Sequence, residues 1–520
     1  MGVKRLVSAT AAALAMALAA SLGAQDAPPG VLVAGGALRG AGADGIDTFK
    51  GIPYAAPPVG PLRWRAPQPP ALWTGQRGAA AFRADCLHDS DPGDAAPSAA
   101  LLSEDCLYLN VWRPAAPGTW PVLVWIHGGG YMQGGSSPAL YDGGALAREG
   151  LVVVSLNYRL GRLGFFSHPA LLRAADGETG NFAFMDQIAA LRWVQDNIAA
   201  FGGDPARVTI MGESAGGDAV AHLMTSPRAT GLFGRAVMLS GGGRGPILGG
   251  LPLDAGPGTR SALSVGRAFA EAQGIMGDGL EALAALRALP AAPIIRGVNV
   301  PGLFANKRLP ETYAMGPILD GRIVTGTPGQ VLRAGGAHVP LLIGTTGADI
   351  SLATSPDADP FAVFGPDRAR ARAAYAAESV PSAIGADFTM QEPARFAVRE
   401  VARAGLPAWL YRFDYVAVSE RANTPGAPHA SELAYLFGTL PIRYPGAVAP
   451  QDQAASTLFR QAVARFARTG DPNGPGLPAW PRHDPAHEGI MLFGREGGAR
   501  FGPDPWRGRL DAVERAQPIL

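Results

Sequence analysis

Apolar and polar positions follow two rhythms through the middle of the chain. Four short runs, Val122 to His127, Leu151 to Leu156, Val208 to Gly212 and Ala236 to Ser240, are rich in Val, Ile and Leu and predict strands buried on both faces. Between the second and third, Ile188, Leu191, Trp193, Val194 and Ile198 recur at helical spacing. They predict a helix over 184–201, broken by Phe201-Gly-Gly-Asp-Pro. Ala215 to Met224 reads as another helix, ending before Pro227. Strand alternating with helix is the pattern of a parallel sheet covered on both sides. Farther on, Val339 to Gly344 and Ala408 to Tyr415 predict strands, and Gln453 to Arg468 a helix. Gly245 to Pro317 breaks the rhythm: it is Gly/Pro-rich, with one helical stretch near Ala262 to Ala272. It reads as an insertion over one end of the sheet, the usual place for a substrate-shaping cap. The expected fold is therefore α/β, a mostly parallel central sheet flanked by helices, with irregular cap insertions.

Composition supports one large core. Of 520 residues, 47% are hydrophobic and 17% charged, which excludes intrinsic disorder. No linker divides the chain, so 25–520 is expected to form a single domain. With a formal net charge of +1 and no Lys/Arg stripe, nucleic acid is excluded as a partner. At the N-terminus, Lys4 and Arg5 precede an apolar run from Thr10 to Leu22, and small residues at Ser21 to Ala24 offer a cleavage site. These predict a signal peptide over about 1–24 and an exported, periplasmic or secreted protein. The run is too short and Ala-rich to span a bilayer comfortably, although an uncleaved anchor is the alternative. Cys86 and Cys106 are the only cysteines and flank a short loop, which in an exported protein suggests a disulfide; two separate buried thiols are the alternative. No Cys or His cluster accompanies them, so neither a metal nor a cofactor is expected.

Chemistry enters with Gly212-Glu213-Ser214-Ala215-Gly216, which fits the nucleophile elbow G-x-S-x-G. A sharp strand-to-helix turn there lifts a serine hydroxyl clear of the backbone, and glycines are needed where a Cβ would collide. Alone the pattern is weak in so Gly-rich a chain. The predicted strand before it and helix after it supply the required context, against the alternative of a Gly-rich turn with a surface serine. Upstream, at another strand end, stands His127-Gly128-Gly129-Gly130. Ester hydrolysis passes through a tetrahedral oxyanion, and a Gly-rich backbone approaches closely enough for its N–H groups to hold that oxygen.

A serine hydroxyl also needs a base, and the base an orienting carboxylate. The histidines are His88, His127, His168, His222, His338, His429, His483 and His487. The chain order Ser, acid, His favours those well beyond Ser214. His338 leaves too little chain for an acid on its own strand end, and His483 and His487 lie in a polar loop that reads as surface. His429 follows the strand 408–415 and suits the catalytic edge. Asp349 follows the strand 339–344 and is the favoured acid; Asp320 is its rival, although Asp320-Gly321 is a common turn pair.

These residues resemble the type-B carboxylesterase family, which includes bacterial para-nitrobenzyl esterases, liver carboxylesterases and cholinesterases. The stretch from Phe201-Gly-Gly-Asp-Pro to Gly212-Glu-Ser-Ala-Gly looks like the family's nucleophile signature, and Glu104-Asp-Cys-Leu-Tyr-Leu-Asn-Val-Trp-Arg-Pro like its second. Phe49-Lys-Gly-Ile-Pro-Tyr-Ala, Trp125-Ile-His-Gly-Gly-Gly, Asn157-Tyr-Arg-Leu-Gly, Pro340-Leu-Leu-Ile-Gly-Thr-Thr and Gly426-Ala-Pro-His-Ala-Ser-Glu-Leu extend the match from about residue 30 to the C-terminus. The resemblance implies an α/β-hydrolase fold and hydrolysis of a small or medium-sized ester through an acyl-enzyme. It makes Ser214 the nucleophile and His429 the base, puts Gly129, Gly130 and Ala215 at the oxyanion hole, and joins Cys86 to Cys106. Ser240 matches a serine that hydrogen-bonds near the triad acid, and Glu213 a carboxylate beside the nucleophile. One departure stands out: Asp349 occupies the place of the usual Glu, one methylene shorter, so its loop must sit closer to His429. The loop from Leu87 to Asp105 has no Phe, Tyr or Trp to hold a choline cation, which argues against a choline ester. Alternatives are a specialised hydrolase of a lactone, carbamate or toxin ester, and a non-catalytic interaction protein of the neuroligin type, which would lack the nucleophile.

Overall fold

The computed structural model describes residues 28–517 except 91–93, 95, 175–176, 246–247, 257, 305–308, 352–358 and 376–379. The expected signal segment lies outside the described residues. Eleven strands form one sheet: β1 (Ala41–Ala43), β2 (Ile46–Pro53), β3 (Tyr108–Pro114), β4 (Trp120–Ile126), β5 (Val152–Leu156), β6 (Gly203–Glu213), β7 (Arg235–Leu239), β8 (Leu341–Thr346), β9 (Ala408–Phe413), β10 (Ile490–Phe493) and β11 (Ala499–Gly502). Their order across the sheet is β11-β10-β9-β8-β7-β6-β4-β5-β3-β2-β1. From β10 to β5 every pairing is parallel. At the far end β5, β3, β2 and β1 pair antiparallel, as do β10 and β11.

Successive residues of a strand point to opposite faces, and β4 and β5 sort accordingly. Val122, Val124, Ile126, Val152, Val154 and Leu156 join the core on one side of the sheet. Leu123, Trp125, Leu151 and Val153 join the core on the other. Helices α1 (Phe182–Asn197) and α2 (Ala215–Thr225) seal the first side, and a helix over Pro450–Thr469 packs Phe459, Val463 and Phe466 into the second. This double burial is why the central strands read as largely apolar runs. The last turn of the predicted 184–201 helix is a 3₁₀ turn, Ile198–Phe201, closed by Gly202 at φ 75°. The antiparallel end was not foreseen: in β3, Asn110 and Arg113 interrupt the apolar pattern. Asn110 is buried, accepting from Gly51 N at 2.9 Å and donating to Ser136 and Ser155 hydroxyls.

The insertion is more helical than its sequence pattern predicts. Besides α3 (Ala262–Ala272) it holds α4 (Leu280–Ala288) and the short turns Ala291–Ile295 and Pro301–Phe304. Two arginines of the domain clamp it. Buried Arg162 donates to Ile294 O (2.8 Å) and Thr312 O (3.0 Å), and Arg63 to Leu289 O (2.6 Å). Helices this short carry too few turns to show a period and are held by such tertiary contacts. Among the described residues no helix is long and apolar enough to cross a membrane.

Candidate active site

All parallel strands deliver their C-terminal ends to the same sheet edge, where binding sites of α/β folds gather. Neighbours β4, β6, β7, β8 and β9 there end in, respectively, the Gly128–Gly130 loop, Ser214, Ser240, Asp349 and His429.

Ser214 sits between β6 and α2 at φ 56° and ψ −125°, a conformation that L side chains rarely adopt. Such strain costs about 1–3 kcal/mol and persists only where neighbours impose it. Here its N–H donates to Leu239 O (3.0 Å), and its carbonyl accepts from Asp218 N (2.9 Å) to start the helix. A Cβ on Gly212 would lie 2.2 Å from Gly216 O, and one on Gly216 would lie 2.1 Å from Ile126 O. The elbow's glycines are thus steric necessities.

On β4 the loop turns tightly: Gly129 is at φ 94°, and a Cβ there would lie 2.2 Å from Gln133 O. The backbone N–H groups of Gly129, Gly130 and Ala215 donate to no protein acceptor among the described residues. Gly129, Gly130 and Ala215 line the same cavity as Ser214 and His429.

Backbone contacts between the loops after β8 and β9 bring Asp349 and His429 together. Ala348 N donates to Ala427 O (2.8 Å), and Ala348 forms a parallel bridge with Pro428. A Cβ on Gly426 would lie 2.9 Å from that of Ala348, so the loops touch. This close approach lets the short aspartate reach: Asp349 Oδ1 is 2.6 Å from His429 Nδ1. Its Oδ2 accepts from Ser240 Oγ (2.7 Å) and Thr346 N (3.1 Å), and Oδ1 also accepts from Ile350 N (2.8 Å). Burial raises the Asp349 pKa, but the His429 charge and these hydrogen bonds outweigh it and leave it below the ordinary value.

With Nδ1 engaged, the other ring nitrogen of His429 is left toward the cavity, and the side chain remains 18% exposed. Glu213 Oε1 approaches that Nε2 to 3.1 Å, without the in-line geometry of a hydrogen bond. Burial disfavours a charge on the His429 ring. The carboxylates of Glu213 and Asp349 outweigh it and push its pKa up. Burial raises the Glu213 pKa too, against the pull of His429. A third carboxyl, Glu432, lies three residues past His429 with both oxygens buried and without a hydrogen-bond partner among the described residues. Burial and the charges of Glu213 and Asp349 raise its pKa strongly. Sequence reasoning missed Glu432, although a carboxylate three residues after the candidate base was a readable signal.

The rivals fall elsewhere. Asp320 accepts the backbone N–H groups of Arg322, Ile323 and Val324, each at 2.9 Å, as a turn residue does. His487 is exposed and pairs with Asp484. His483 is a correction: it is buried, because its N–H pairs with Ala408 O (2.7 Å) and draws the segment against β9. His127 is buried, stacked on Tyr158 and held by burial at a pKa near 4. Cys86 and Cys106 form the disulfide. The cavity measures about 250 Å³, and the insertion contributes Leu248, Val300 and Leu303 to its wall. Leu140 and Tyr141 add apolar surface to the lining, and Asp94 and Arg443 polar groups.

Comparison with known proteins gives concordant likenesses. A model described as the carboxylesterase family matches residues 27–372 and 380–502. The chain is 34% identical to a fumonisin B1 esterase of Sphingopyxis macrogoltabida, over 90% of this chain and 86% of that one. It is 35% identical to a para-nitrobenzyl esterase of Bacillus subtilis, over 88% of this chain and 93% of that one. A solved PNB esterase structure superposes with a TM-score of 0.79 at 31% identity, covering 94% of this chain and 99% of the other.

Proposed function

The chain belongs to the carboxylesterase family and is a carboxylic-ester hydrolase of the α/β-hydrolase fold; from that premise we propose that Ser214 is its nucleophile, His429 its base and Asp349 its orienting acid, with Gly129, Gly130 and Ala215 as the oxyanion hole. The observation that carries this reading is the Asp349–His429 contact of 2.6 Å beside a cavity that Ser214 also lines.

Ser214 Oγ attacks the ester carbonyl while His429 Nε2 takes its proton. The carbonyl π electrons move to oxygen, and the three N–H groups hold the resulting oxyanion. Asp349, held by Ser240 and two backbone N–H groups, keeps the Nδ1 proton in place and stabilises the imidazolium. Collapse of the intermediate expels the alcohol, protonated by His429, and leaves an acyl-enzyme. Water deprotonated by His429 then attacks the acyl carbon, and Ser214 leaves with the returned proton. The apolar walls suit a small or medium-sized acyl or alkyl group.

One continuous sheet from 41 to 502 supports a single domain. The Cys86–Cys106 disulfide and the charged-then-apolar N-terminal sequence support an exported protein. The test is Ser214→Ala with an activated ester and a fluorophosphonate probe. Turnover and labelling should both vanish while the melting temperature holds. Labelling of a different serine in the wild type, found by peptide mapping, would overturn the assignment. A panel of graded acyl and alcohol groups, with a fumonisin ester among them, then defines the substrate.

A further inference from the structure

The proposed oxyanion hole is assembled from two elements. Gly129 and Gly130 belong to the loop after β4, and Ala215 opens α2. Donors aimed at one oxygen help only if their mutual placement is fixed before the charge develops. The parallel pairing of Ile126 with Gly212 aligns the two strands, but both donor segments lie beyond that last pair.

A side-chain contact spans this gap. Tyr131, the residue directly after Gly130, is buried and donates its hydroxyl to Asp218 Oδ2 at 2.8 Å. Asp218 lies in the first turn of α2, its N–H bonded to Ser214 O at 2.9 Å. Tyr131 is also one of the few non-Gly residues at positive φ, 60°. Its strained backbone is pinned by Gly161 N donating to its carbonyl (2.7 Å) and by edge-on contacts with the Phe165 and Phe184 rings, 5.1 and 6.1 Å between centroids. Asp218 is a fully buried carboxyl on a helix whose neighbouring buried positions are Ala219, Val220 and Ala221. Packing alone does not call for a carboxyl there, because burying one is costly unless it accepts hydrogen bonds. His222 Nε2 lies 3.7 Å from Asp218 Oδ2 and is held neutral by burial.

We propose that Tyr131 and Asp218 are a positioning pair that locks the Gly129–Gly130 loop against the nucleophile helix, so that the two halves of the oxyanion hole converge on one point. Neither residue reacts; the hydroxyl-to-carboxylate bond sets the spacing of the backbone donors. The inference rests on the oxyanion-hole reading above.

The test uses Tyr131→Phe, which removes only the hydroxyl, the single variants Asp218→Ala and Asp218→Asn, and the double variant Tyr131→Phe/Asp218→Ala, which removes both members of the pair. Each is assayed for kcat and KM on a para-nitrophenyl ester. Each is also assayed for affinity toward a trifluoromethyl ketone, whose serine adduct carries an oxyanion. A fluorophosphonate titration counts active sites, so that rates refer to folded enzyme. Misplacing donors should cost less than deleting one, which costs about 10²–10³ in kcat. We expect kcat per active site to fall about tenfold or more, ketone affinity to fall in parallel, and KM to stay within about threefold. Asp218→Asn, which keeps an acceptor oxygen, should retain more activity than Tyr131→Phe. The double variant should be no slower than the slower of Tyr131→Phe and Asp218→Ala alone, as for residues acting as a unit. Wild-type-like kcat per site and ketone affinity in both Tyr131 variants would overturn the proposal. So would a loss confined to the number of titratable sites. If the wild type is labelled at Ser214 and the Tyr131 variants behave normally, only the positioning pair falls; if Ser214 is not labelled, the underlying reading falls first.

Discussion

Glu213 Oε1 and His429 Nε2 lie 3.1 Å apart, so the imidazole has a carboxylate at each ring nitrogen, Asp349 at Nδ1 and Glu213 at Nε2. In the proposed mechanism Asp349 orients the base. Glu213 sits beside the nitrogen that must receive the serine proton, and its charge favours the protonated, inactive form of the ring.

Removing that charge should move the profile. The His429 pKa is held up by Glu213 and Asp349 against burial. Glu213→Gln removes the first of these carboxylates and leaves Asp349 and Glu432, so His429 loses its proton at lower pH. The acid limb of kcat/KM should therefore shift toward lower pH, by about a unit or more, given the range over which a nearby charge acts. An unmoved or raised acid limb would contradict the arrangement.

Asp349→Asn keeps the shape of the acid and loses its charge. By analogy with the serine-protease triad, kcat should fall by about 10⁴ with little change in KM. Asp349→Glu must fit a further methylene into a loop bridged to Pro428, so it should be impaired but at least about tenfold faster than Asp349→Asn. Asp320→Asn retains an acceptor for the 320–324 turn and should leave kcat within about twofold. Steady-state kinetics of the three variants decide; a silent Asp320→Asn beside an active Asp349→Asn would transfer the role of acid.

Glu432 should make stability depend on pH. Its folded pKa is raised, so above its unfolded value of about 4.3 the unfolded chain releases a proton that the folded protein keeps. Its contribution is fully present below that pH and is lost as pH rises toward the folded pKa. Glu432→Gln cannot ionise. It should melt like the wild type near pH 4 and higher than the wild type at pH 8, as calorimetry would show. Equal melting temperatures at pH 8 would mean that the carboxyl is ionised and paired.

The disulfide closes a loop of about twenty residues, which in the chain-entropy model stabilises the fold by about 3 kcal/mol. Cys86→Ala/Cys106→Ala should lower the denaturant midpoint accordingly. Asp94 and Ala96 of that loop line the cavity, so KM should rise several-fold while kcat changes less. Denaturation and kinetics without reductant, on wild type and variant side by side, separate the two effects.

What the sequence determined by itself is mostly local. The turn at Ser214 is legible because its causes, the crowded Gly212 and Gly216, lie within two residues of it. The central strands are legible because burial on both faces leaves them dominated by Val, Ile and Leu. Asp349 and His429 could be singled out because chain order and strand ends restrict where an acid and a base can stand. Tertiary structure decided everything that depends on residues far apart in the chain. The Ala348–Pro428 bridge joins loops eighty residues apart and sets the reach of the shorter acid. Glu432 stands three residues past His429 and is legible there, but the approach of Glu213 to the same ring depends on how β6 and the segment after β9 dock. His483 reads as surface from its polar neighbours, and it is buried only because β9 offers Ala408 O to its N–H. Tyr131 and Asp218 look like an ordinary core aromatic and an ordinary helix-start acid until the sheet sets their two segments side by side. A crowded backbone writes its demands into adjacent residues; a charge or hydrogen bond between distant segments exists only after the sheet has formed.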